Sequence, residues 1–464
     1  MIAENRTFEE MSIGDSAELR RICTADDLLI FANASGNHNP IHLPRHDGDG
    51  DGQPEAIVPG MFVGSLISAV LGNVLPGPGT LYQHQSLGFT NRAFPGDELI
   101  ARVTVTGKAT DGSVTMATQV RRAADSALIA DGEAVVVAPR NKVRYDDQDL
   151  PGLVVNNHRH FERMLERAEP LPPLVTAVIC PEDSSSLSGA LLAMKHTIIA
   201  PILVGDHARI TATAKELSAD LTGIEILQAA DPRAAAALGV ALVHEGRAGA
   251  VMKGHLHTDD LLRPMLDKVS GLRIGRRFTH IFVMDVPGLN HPLLVTDAAI
   301  NIAPDLETKV DIVQNAIDLA ISLGIAVPKV GVLSAVETVN PAIPSSMDAA
   351  LLSKMAERGQ IRGGMVDGPL AMDNAVDIAA ARIKGIKSEV AGHADILVVP
   401  GLDAGNMLAK QLTYLSHAEA AGVVMGARVP IILNSRADSD MARLASCAVA
   451  TLHDARIRGV VVPA

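Results

Sequence analysis

The sequence predicts a multidomain chain: an α+β domain over residues 1–140, a linker over 141–152 and a two-lobed α/β domain over 153–464. Three observations carry this. An almost wholly apolar helical stretch at Met61–Leu71 is followed by alternating strand-like runs, which suggests an antiparallel sheet wrapped round one buried helix. The stretch Pro139–Gly152 is charged, loses periodicity and carries Pro near both ends, as a linker does. Beyond it, short apolar strands alternate with helices, the pattern of right-handed βαβ units and a mostly parallel sheet. That second part exceeds one ordinary core, so two lobes with a cleft between them are expected: lobe I at about 153–296 plus 435–464, lobe II at about 297–434.

Composition narrows the function. A net charge of −13 and 2% aromatic residues leave neither a basic groove nor a stacking platform for nucleic acid, and no basic helix for a membrane surface. The N-terminal stretch is polar and acidic, unlike a secretory leader, and Met61–Leu75 is interrupted by Ser65, Ser68 and Asn73, so no run is clean enough to span a bilayer. Cys23, Cys180 and Cys447 are far apart and form no CxxC pair, which fits a reducing cytoplasm and supplies no disulfide or metal framework. A cytoplasmic enzyme is expected.

In the first part, Thr24 caps a helix from about Ala25 to Ala34, and the strand runs are Leu81–Thr90, Glu98–Thr106, Ser113–Arg122 and Ala127–Ala138. Between the helices lies Ser35-Gly36-Asn37-His38-Asn39-Pro40-Ile41-His42. This resembles the Ser-Gly-Asp-x-Asn-Pro-x-His motif of the MaoC-like hydratases, which have the hot-dog fold; Gly60-Met61 and the GDELIARVTVTG strand from Gly96 resemble that family too. The resemblance implies that a carboxylate and His42 activate water for addition to a 2-enoyl-CoA, and that the Gly60 N–H polarises the thioester carbonyl. The chain departs from the motif at Asn37, where an amide that cannot take a proton replaces Asp, and at Pro59, where a His usually precedes the glycine. A hydratase resting on His42 and an acyl-CoA-binding domain without turnover both remain open. Asp47, Asp49, Asp51 and Gly52 open like a calcium loop, but Val58 holds the twelfth position, so a solvated loop is expected.

In the second part, the strand candidates are Leu174–Ile179, Ile202–Val204, Ile224–Leu227, Ala250–Lys253, Thr279–Asp285, Leu293–Thr296, Lys329–Leu333, Gly364–Val366, Asp395–Val399 and Val429–Leu433. The last of these empties through Asn434, Ser435 and Arg436 into a helix from about Ala437. A strand running into a helix start, with a hydroxyl and a guanidinium at the turn, makes a receptacle for an oxyanion, phosphate above all. The plainer alternative is a cap by Ser435 or Asp438. Polar clusters follow other strands at 252–264, 295–304, 366–375 and 398–410, and in α/β sheets ligands gather at carboxyl strand ends, so a single convergent site is expected. His255 and His257 read as solvated strand neighbours, and Asp373 and Asp377 as helix-start carboxylates; no metal set is complete.

Together the clusters resemble the phosphate acetyltransferase and phosphate butyryltransferase family over 155–464, through Met252-Lys253-Gly254, Thr258, Leu262-Arg263-Pro264, Thr296-Asp297, Asn301, Asp367-Gly368-Pro369, Asp373, Gly405-Asn406, Lys410 and Ser435-Arg436. The whole chain resembles bifunctional enoyl-CoA hydratase/phosphate acetyltransferases. The resemblance implies an isopropylmalate dehydrogenase-like two-lobed fold and reversible acyl transfer between CoA and phosphate, with no cofactor or metal and usually in a homodimer. Ser435 and Arg436 would be catalytic. The other family positions, Lys253, Thr258, Arg263, Thr296, Asp297, Asn301, Asp367, Asp373, Asn406 and Lys410, would bind substrate. The acidic residue that in acetyl-specific members would deprotonate the thiol is Ala442 here, leaving Asp440 or Asp438 as substitutes. The chemistry stands without the family: a thiol needs a base, the acyl carbonyl an oxyanion donor, the phosphate an arginine fork. The rival readings are an acyl-CoA-binding or (R)-specific hydratase protein whose transferase half is secondary, and a metal-dependent dehydrogenase of similar shape.

Overall fold

The computed structural model describes residues 2–44, 56–146, 158–435 and 438–463. Arg436, the calcium-like loop at Asp47–Gly52 and residues 147–152 of the expected linker lie outside the described residues, while 144–146 of that linker form a strand paired with residues 2–4. The chain divides into two compact units, Met1–Val155 and Asn156–Ala464.

The first unit holds β1 (Ile2–Glu4), β2 (Ser16–Ile22), α1 (Ala25–Ser35), α2 (Gly60–Asn73), β3 (Leu81–Gln85), β4 (Gly88–Phe89), β5 (Glu98–Lys108), β6 (Ser113–Arg122), β7 (Leu128–Val137) and β8 (Arg144–Asp146). The main sheet runs β2-β5-β6-β7-β3, with β4 also on β7, all antiparallel, and β1 pairs with β8. Inward residues of β5 and β6 alternate (Leu99, Ala101, Val103, Val105; Val114, Met116, Val120) and pack with Phe62, Val63, Leu66, Ile67, Val70 and Leu71 of α2 in one core. This is the hot-dog arrangement, a sheet round a buried helix. Thr24 caps α1 as expected, accepting from the Asp27 N–H. The expected strand at 81–90 is broken in two at Ser86 and Leu87, where the Ser86 carbonyl comes so near Gly132 that a Cβ would sit 1.9 Å from the oxygen.

The second unit comprises α3 (Arg159–Ala168), β9 (Leu174–Ile179), α4 (Ser184–Lys195), β10 (Ile199–Gly205), α5 (His207–Glu216), β11 (Glu225–Gln228), α6 (Pro232–His244), β12 (Ala250–Lys253), α7 (Thr258–Met265), β13 (Thr279–Asp285), β14 (Leu293–Thr296), α8 (Leu306–Ser322), β15 (Lys329–Leu333), α9 (Pro344–Glu357), β16 (Met365–Leu370), α10 (Met372–Val376), α11 (Ile378–Ile383), β17 (Ile396–Val398), α12 (Leu402–Leu415), β18 (Glu419–Met425), β19 (Ile431–Ile432) and α13 (Asp440–Ile457). Its sheet has eleven strands in the order β11-β10-β9-β12-β19-β18-β13-β14-β17-β15-β16. Both flanks are parallel, as the βαβ rhythm requires. At the centre, β19–β18, β18–β13 and β13–β14 pair antiparallel. The carboxyl ends of β14, β17, β15 and β16 therefore face the opposite end of the sheet from those of β12 and β19. β13 and β14, expected in lobe I, stand beyond β18 among strands expected of lobe II.

Helix α13 is its central support: Ala445, Cys447, Ala448, Val449, Ala450 and Leu452 join the main core. It starts at Asp440 under a Ser439 cap, which corrects both the expected start at 437 and the expected cap residue. Among the described residues no helix is long and apolar enough to cross a membrane.

Candidate active site

The site lies where strand direction reverses. A cleft of about 810 Å³ opens over β13 and β18. His280 and Phe282, alternate residues of β13, form its floor with Ala420, and Gly422 between them has no room for a side chain: a Cβ would lie 2.4 Å from the Leu433 carbonyl. One wall is α12, which runs back from the end of β17 and so carries Asn406, Lys410, Thr413 and Tyr414 to the cleft. The opposite wall is the end of β12 and start of α7, with Lys253, Leu256, His257 and Thr258. Leu433, Asn434, Ser435, Asp438, Ser439 and Ala442 close it.

The turn between β19 and α13 is tied from several directions. The Asp438 carboxylate accepts from the Ser435 N–H at 2.6 Å and from Asn434 Nδ2 at 3.4 Å. Asn434 Nδ2 also donates to Ser446 Oγ at 2.9 Å, and the buried Arg443 donates to the Ser435 carbonyl at 2.8 Å. Burial pushes the Asp438 carboxyl above the usual range, against the hydrogen bonds from Ser435 and Asn434. Ser439 Oγ, besides capping α13, donates to Glu419 at 2.8 Å. A half-buried carboxylate thus sits beside Ser435, poised to hold a proton at higher pH than an exposed one.

A smaller cavity of about 340 Å³ adjoins the cleft and shares Lys253, Asn434 and Ser435 with it. Its other lining is polar: Asp183, Ser184, Ser185 and Ser186 at the start of α4, Gly254 and His255 after β12, and Arg443. Asp183 caps α4 through the Ser186 N–H at 2.8 Å and meets His255 Nδ1 at 2.5 Å. Gly254 is required here, because a Cβ would come within 2.4 Å of the Ile179 and Cys180 carbonyl oxygens. A helix N-terminus, hydroxyls, a buried lysine and a buried arginine round one small space suit a compact anion. The sequence reading missed Asp183–Ser186, although a strand followed by Asp-Ser-Ser-Ser is a helix-start signature; it also missed His280, Glu419 and Arg443.

Of the expected site residues, Lys253, Thr258, Asn406, Lys410 and Ser435 meet round the cleft. Asp440 is exposed and does not line it, whereas Asp438 does. Arg263 points into a separate groove of about 540 Å³ that shares Thr258 and Ala299 with the cleft. Thr296, Asp297 and Asn301 form a support beneath it. Thr296 Oγ1 donates to the His280 carbonyl; Asp297, joined to Thr296 by a cis peptide bond, accepts from Ala299, Ile300 and Asn301; and Asn301 donates to the Phe278 carbonyl. Asp367 and Asp373 do not converge. Asp367 is on β16, four strands from β13 and hence about 19 Å away, and Asp373 is exposed and paired with Lys384 at 3.1 Å. The reversal of strand direction is why that cluster faces elsewhere. No group of three or more His, Cys, Asp or Glu among the described residues could hold a metal.

In the first unit, the motif loop is held mostly by its own atoms: Ser35 Oγ donates to the Phe31 carbonyl, and Asn37 and Asn39 accept from backbone N–H groups two residues on. His42 Nδ1 meets the Ile57 carbonyl at 2.8 Å, just before α2 begins at Gly60. A carbonyl only accepts, so Nδ1 carries the proton and Nε2 of the neutral ring keeps its lone pair. Asn37 is exposed, with its Oδ1 committed to the Asn39 N–H at 3.3 Å.

A cleft meeting a small polar cavity at a lysine and a serine, in a mixed α/β sheet, suits a group-transfer enzyme. Comparisons with known proteins agree. Residues 231–451 match the phosphate acetyl/butaryl transferase family, and residues 10–126 match the MaoC like domain. A phosphate acetyltransferase of Rhizobium meliloti is 57% identical over 304 residues, 66% of this chain and 96% of that protein. A phosphate butyryltransferase of Clostridium beijerinckii is 41% identical over 298 residues, 64% of this chain and 99% of that protein. The crystal structure of a branched-chain phosphotransacylase from Enterococcus faecalis superposes with a TM-score of 0.54 at 31% identity, covering 61% of this chain and 99% of that one. The chain belongs to the phosphate acetyl/butyryltransferase family and is an acyltransferase that also carries a MaoC-like hot-dog domain at its N-terminal end.

Proposed function

We propose that the second unit transfers an acyl group reversibly between CoA and inorganic phosphate, with the thioester in the large cleft and the phosphate in the polar cavity. The observation that carries this is the shared wall of Lys253, Asn434 and Ser435. A phosphate oxygen entering from one side attacks the thioester carbonyl presented from the other. The new C–O bond forms as the C–S bond breaks. Ser435 donates to the developing oxyanion, and Lys253 with Arg436 offsets its charge and that of the phosphate. Asp438 takes the proton that hydrogen phosphate gives up and passes it to the leaving thiolate, and in reverse takes it from the thiol of CoA and returns it to the phosphate. No metal or organic cofactor enters this scheme. The test is thiol release from acetyl-CoA and butyryl-CoA with and without phosphate; no phosphate-dependent release from any short acyl-CoA sinks it.

The same reading makes the chain cytoplasmic, where CoA esters and reduced thiols occur; its three cysteines are buried, and burial pushes each thiol up to about 12. It also includes a homodimer or larger assembly, which light scattering of the purified chain checks. The first unit we read as a weak enoyl-CoA hydratase, in which His42 Nε2 alone serves as base and Gly60 faces the thioester.

A further inference from the structure

One titratable pair in the polar cavity has no part in the scheme above: Asp183 and His255, whose Oδ2 and Nδ1 meet at 2.5 Å. The pair is held in place from two directions. Cys180, just after β9, stands in the left-handed region at φ 51°, a conformation that a residue with a Cβ rarely takes. Its carbonyl accepts from the Glu182 N–H at 2.8 Å and from the His255 N–H at 2.6 Å, so one turn fixes both the approach to Asp183 and the backbone of His255. Asp183 is held again from α4, where Oδ1 accepts from the Ser186 N–H. Glu182 is engaged elsewhere, paired with Arg209 at 2.7 Å.

Burial raises the Asp183 carboxyl, but the bonds from the Ser186 N–H and His255 outweigh this and hold it below the usual range, so it is an anion at neutral pH. A carboxylate only accepts, so Nδ1 of His255 carries a proton. Nε2 is the polar atom left over, without a hydrogen-bond partner among the described residues. The His255 side chain is 41% exposed and lines the cavity, so an ion there can reach the ring. Among the described residues, the other charged groups round the cavity are Lys253 at the end of β12 and Arg443 of α13, both buried cations. Asp183 is the exception. A carboxylate on the wall of an anion cavity repels the anion unless a cation stands beside it. His255 is bonded to that carboxylate and becomes such a cation by taking one proton at Nε2. The imidazolium then donates one N–H to Asp183 and the other to the anion, a charge-assisted bond on each side.

We propose that His255 binds phosphate as an imidazolium, with Nε2–H on a phosphate oxygen and Asp183 behind the ring, so that phosphate binding is coupled to a proton on His255. This rests on the acyl-transfer reading above, with phosphate in the polar cavity, and deepens it by naming a phosphate ligand. The bound state holds the ring proton more tightly than the empty one. The contribution of His255 is therefore present at low pH and lost as pH rises.

The experiment measures KM for phosphate and for the acyl-CoA ester in the purified full chain and in His255→Gln, at about pH 6 and about pH 9. Dividing the variant's KM for phosphate by that of the unaltered chain cancels the ionisation of phosphate itself and of Asp438. The quotient is expected to be roughly tenfold or more at the lower pH and to approach one at the higher. KM for the ester should stay within about twofold throughout. Asp183→Asn, whose amide oxygen still accepts from the Ser186 N–H, removes the charge that favours the imidazolium and should shift KM for phosphate in the same pH-dependent way; it decides the matter should His255→Gln not fold. A quotient equal at the two pH values, whether near one or raised, overturns the inference and leaves acyl transfer standing, as does a KM for the ester that rises as much as that for phosphate. Phosphate-dependent turnover absent with both acetyl-CoA and butyryl-CoA in the unaltered chain overturns both.

Discussion

The turn at Asn434–Asp438 and the loop at Ser35–His42 look alike in sequence: each is a polar run beside a helix, rich in Asn and Ser, with a residue suited to proton transfer. They differ in what holds them. The first is fastened from α13 by Ser446 and Arg443, sits over a buried floor, and shifts the pKa of its carboxyl. The second is fastened mainly by bonds between near neighbours and is largely exposed, with one longer tie from His42 to Ile57. A site whose polar groups are fixed from distant parts of the chain keeps its geometry at the moment of reaction. A loop that satisfies itself can carry Asn37, where the motif it resembles has Asp, without the fold noticing.

The sharpest way to break that comparison is at Asp438. Asp438→Asn keeps the shape and the acceptor oxygen but removes the base, so turnover should fall by about 10²–10⁴-fold, with kcat affected more than KM. The pH dependence follows from the raised pKa. Below it the carboxyl is protonated and cannot take the thiol proton, so the rate from acyl phosphate and CoA should rise with pH along a limb lying above the ordinary aspartate range. Asp438→Asn should flatten that limb. Stability carries the opposite sign: the folded state binds this proton more tightly than the unfolded one, so the contribution of Asp438 is lost as pH rises from about the unfolded value through the folded one. A limb that stays in place in the variant assigns the base elsewhere.

Arg436→Ala comes next. An arginine contact to an oxyanion in a closed site contributes on the order of 2–4 kcal/mol to the transition state, so kcat/KM should drop by a matching factor, and a wild-type rate would leave the turn as a mere cap. In the hot-dog unit, crotonyl-CoA hydration by the full chain should be weak; Asn37→Asp should raise it, and His42→Ala should abolish it. Hydration already at the median enzyme rate of about 10 s⁻¹ would make the Asp dispensable. The smallest effect is expected at Asp367→Asn and Asp373→Asn, which should leave acyl transfer within about twofold, given the four-strand separation from the cleft. A large loss there would require those residues to act on the site by a route their position does not suggest.

How much was legible follows from the kind of signal. Strands such as Leu174–Ile179, Ala250–Lys253 and Thr279–Asp285 are apolar runs between turn residues, and the structure places them at those bounds. β18 was not legible: Glu419–Met425 is rich in Ala and broken by Gly422, so neither period stands out, yet the antiparallel pairs it forms set the direction of half the sheet. β2 was missed because Ser16–Ile22 is mostly exposed and charged. Lys253, Thr258, Asn406, Lys410 and Ser435 could be named from their strand-end clusters, but the assumption that all carboxyl ends face one way carried Asp367 and Asp373 along with them. His280 could not be read at all, since a lone histidine in an apolar strand gives no hint that it lines a cleft.

The central claim is that phosphate enters from the polar cavity and meets the thioester at the wall of Lys253, Asn434 and Ser435. Ser185→Asp tests it most directly. The residue is exposed in the first turn of α4, where an acidic side chain is compatible with the helix dipole, so the fold should tolerate it while the cavity gains a negative charge. The account predicts a KM for phosphate raised roughly tenfold or more, from about 1.4 kcal/mol of repulsion, with KM for the CoA ester little changed. An unchanged KM for phosphate would contradict it.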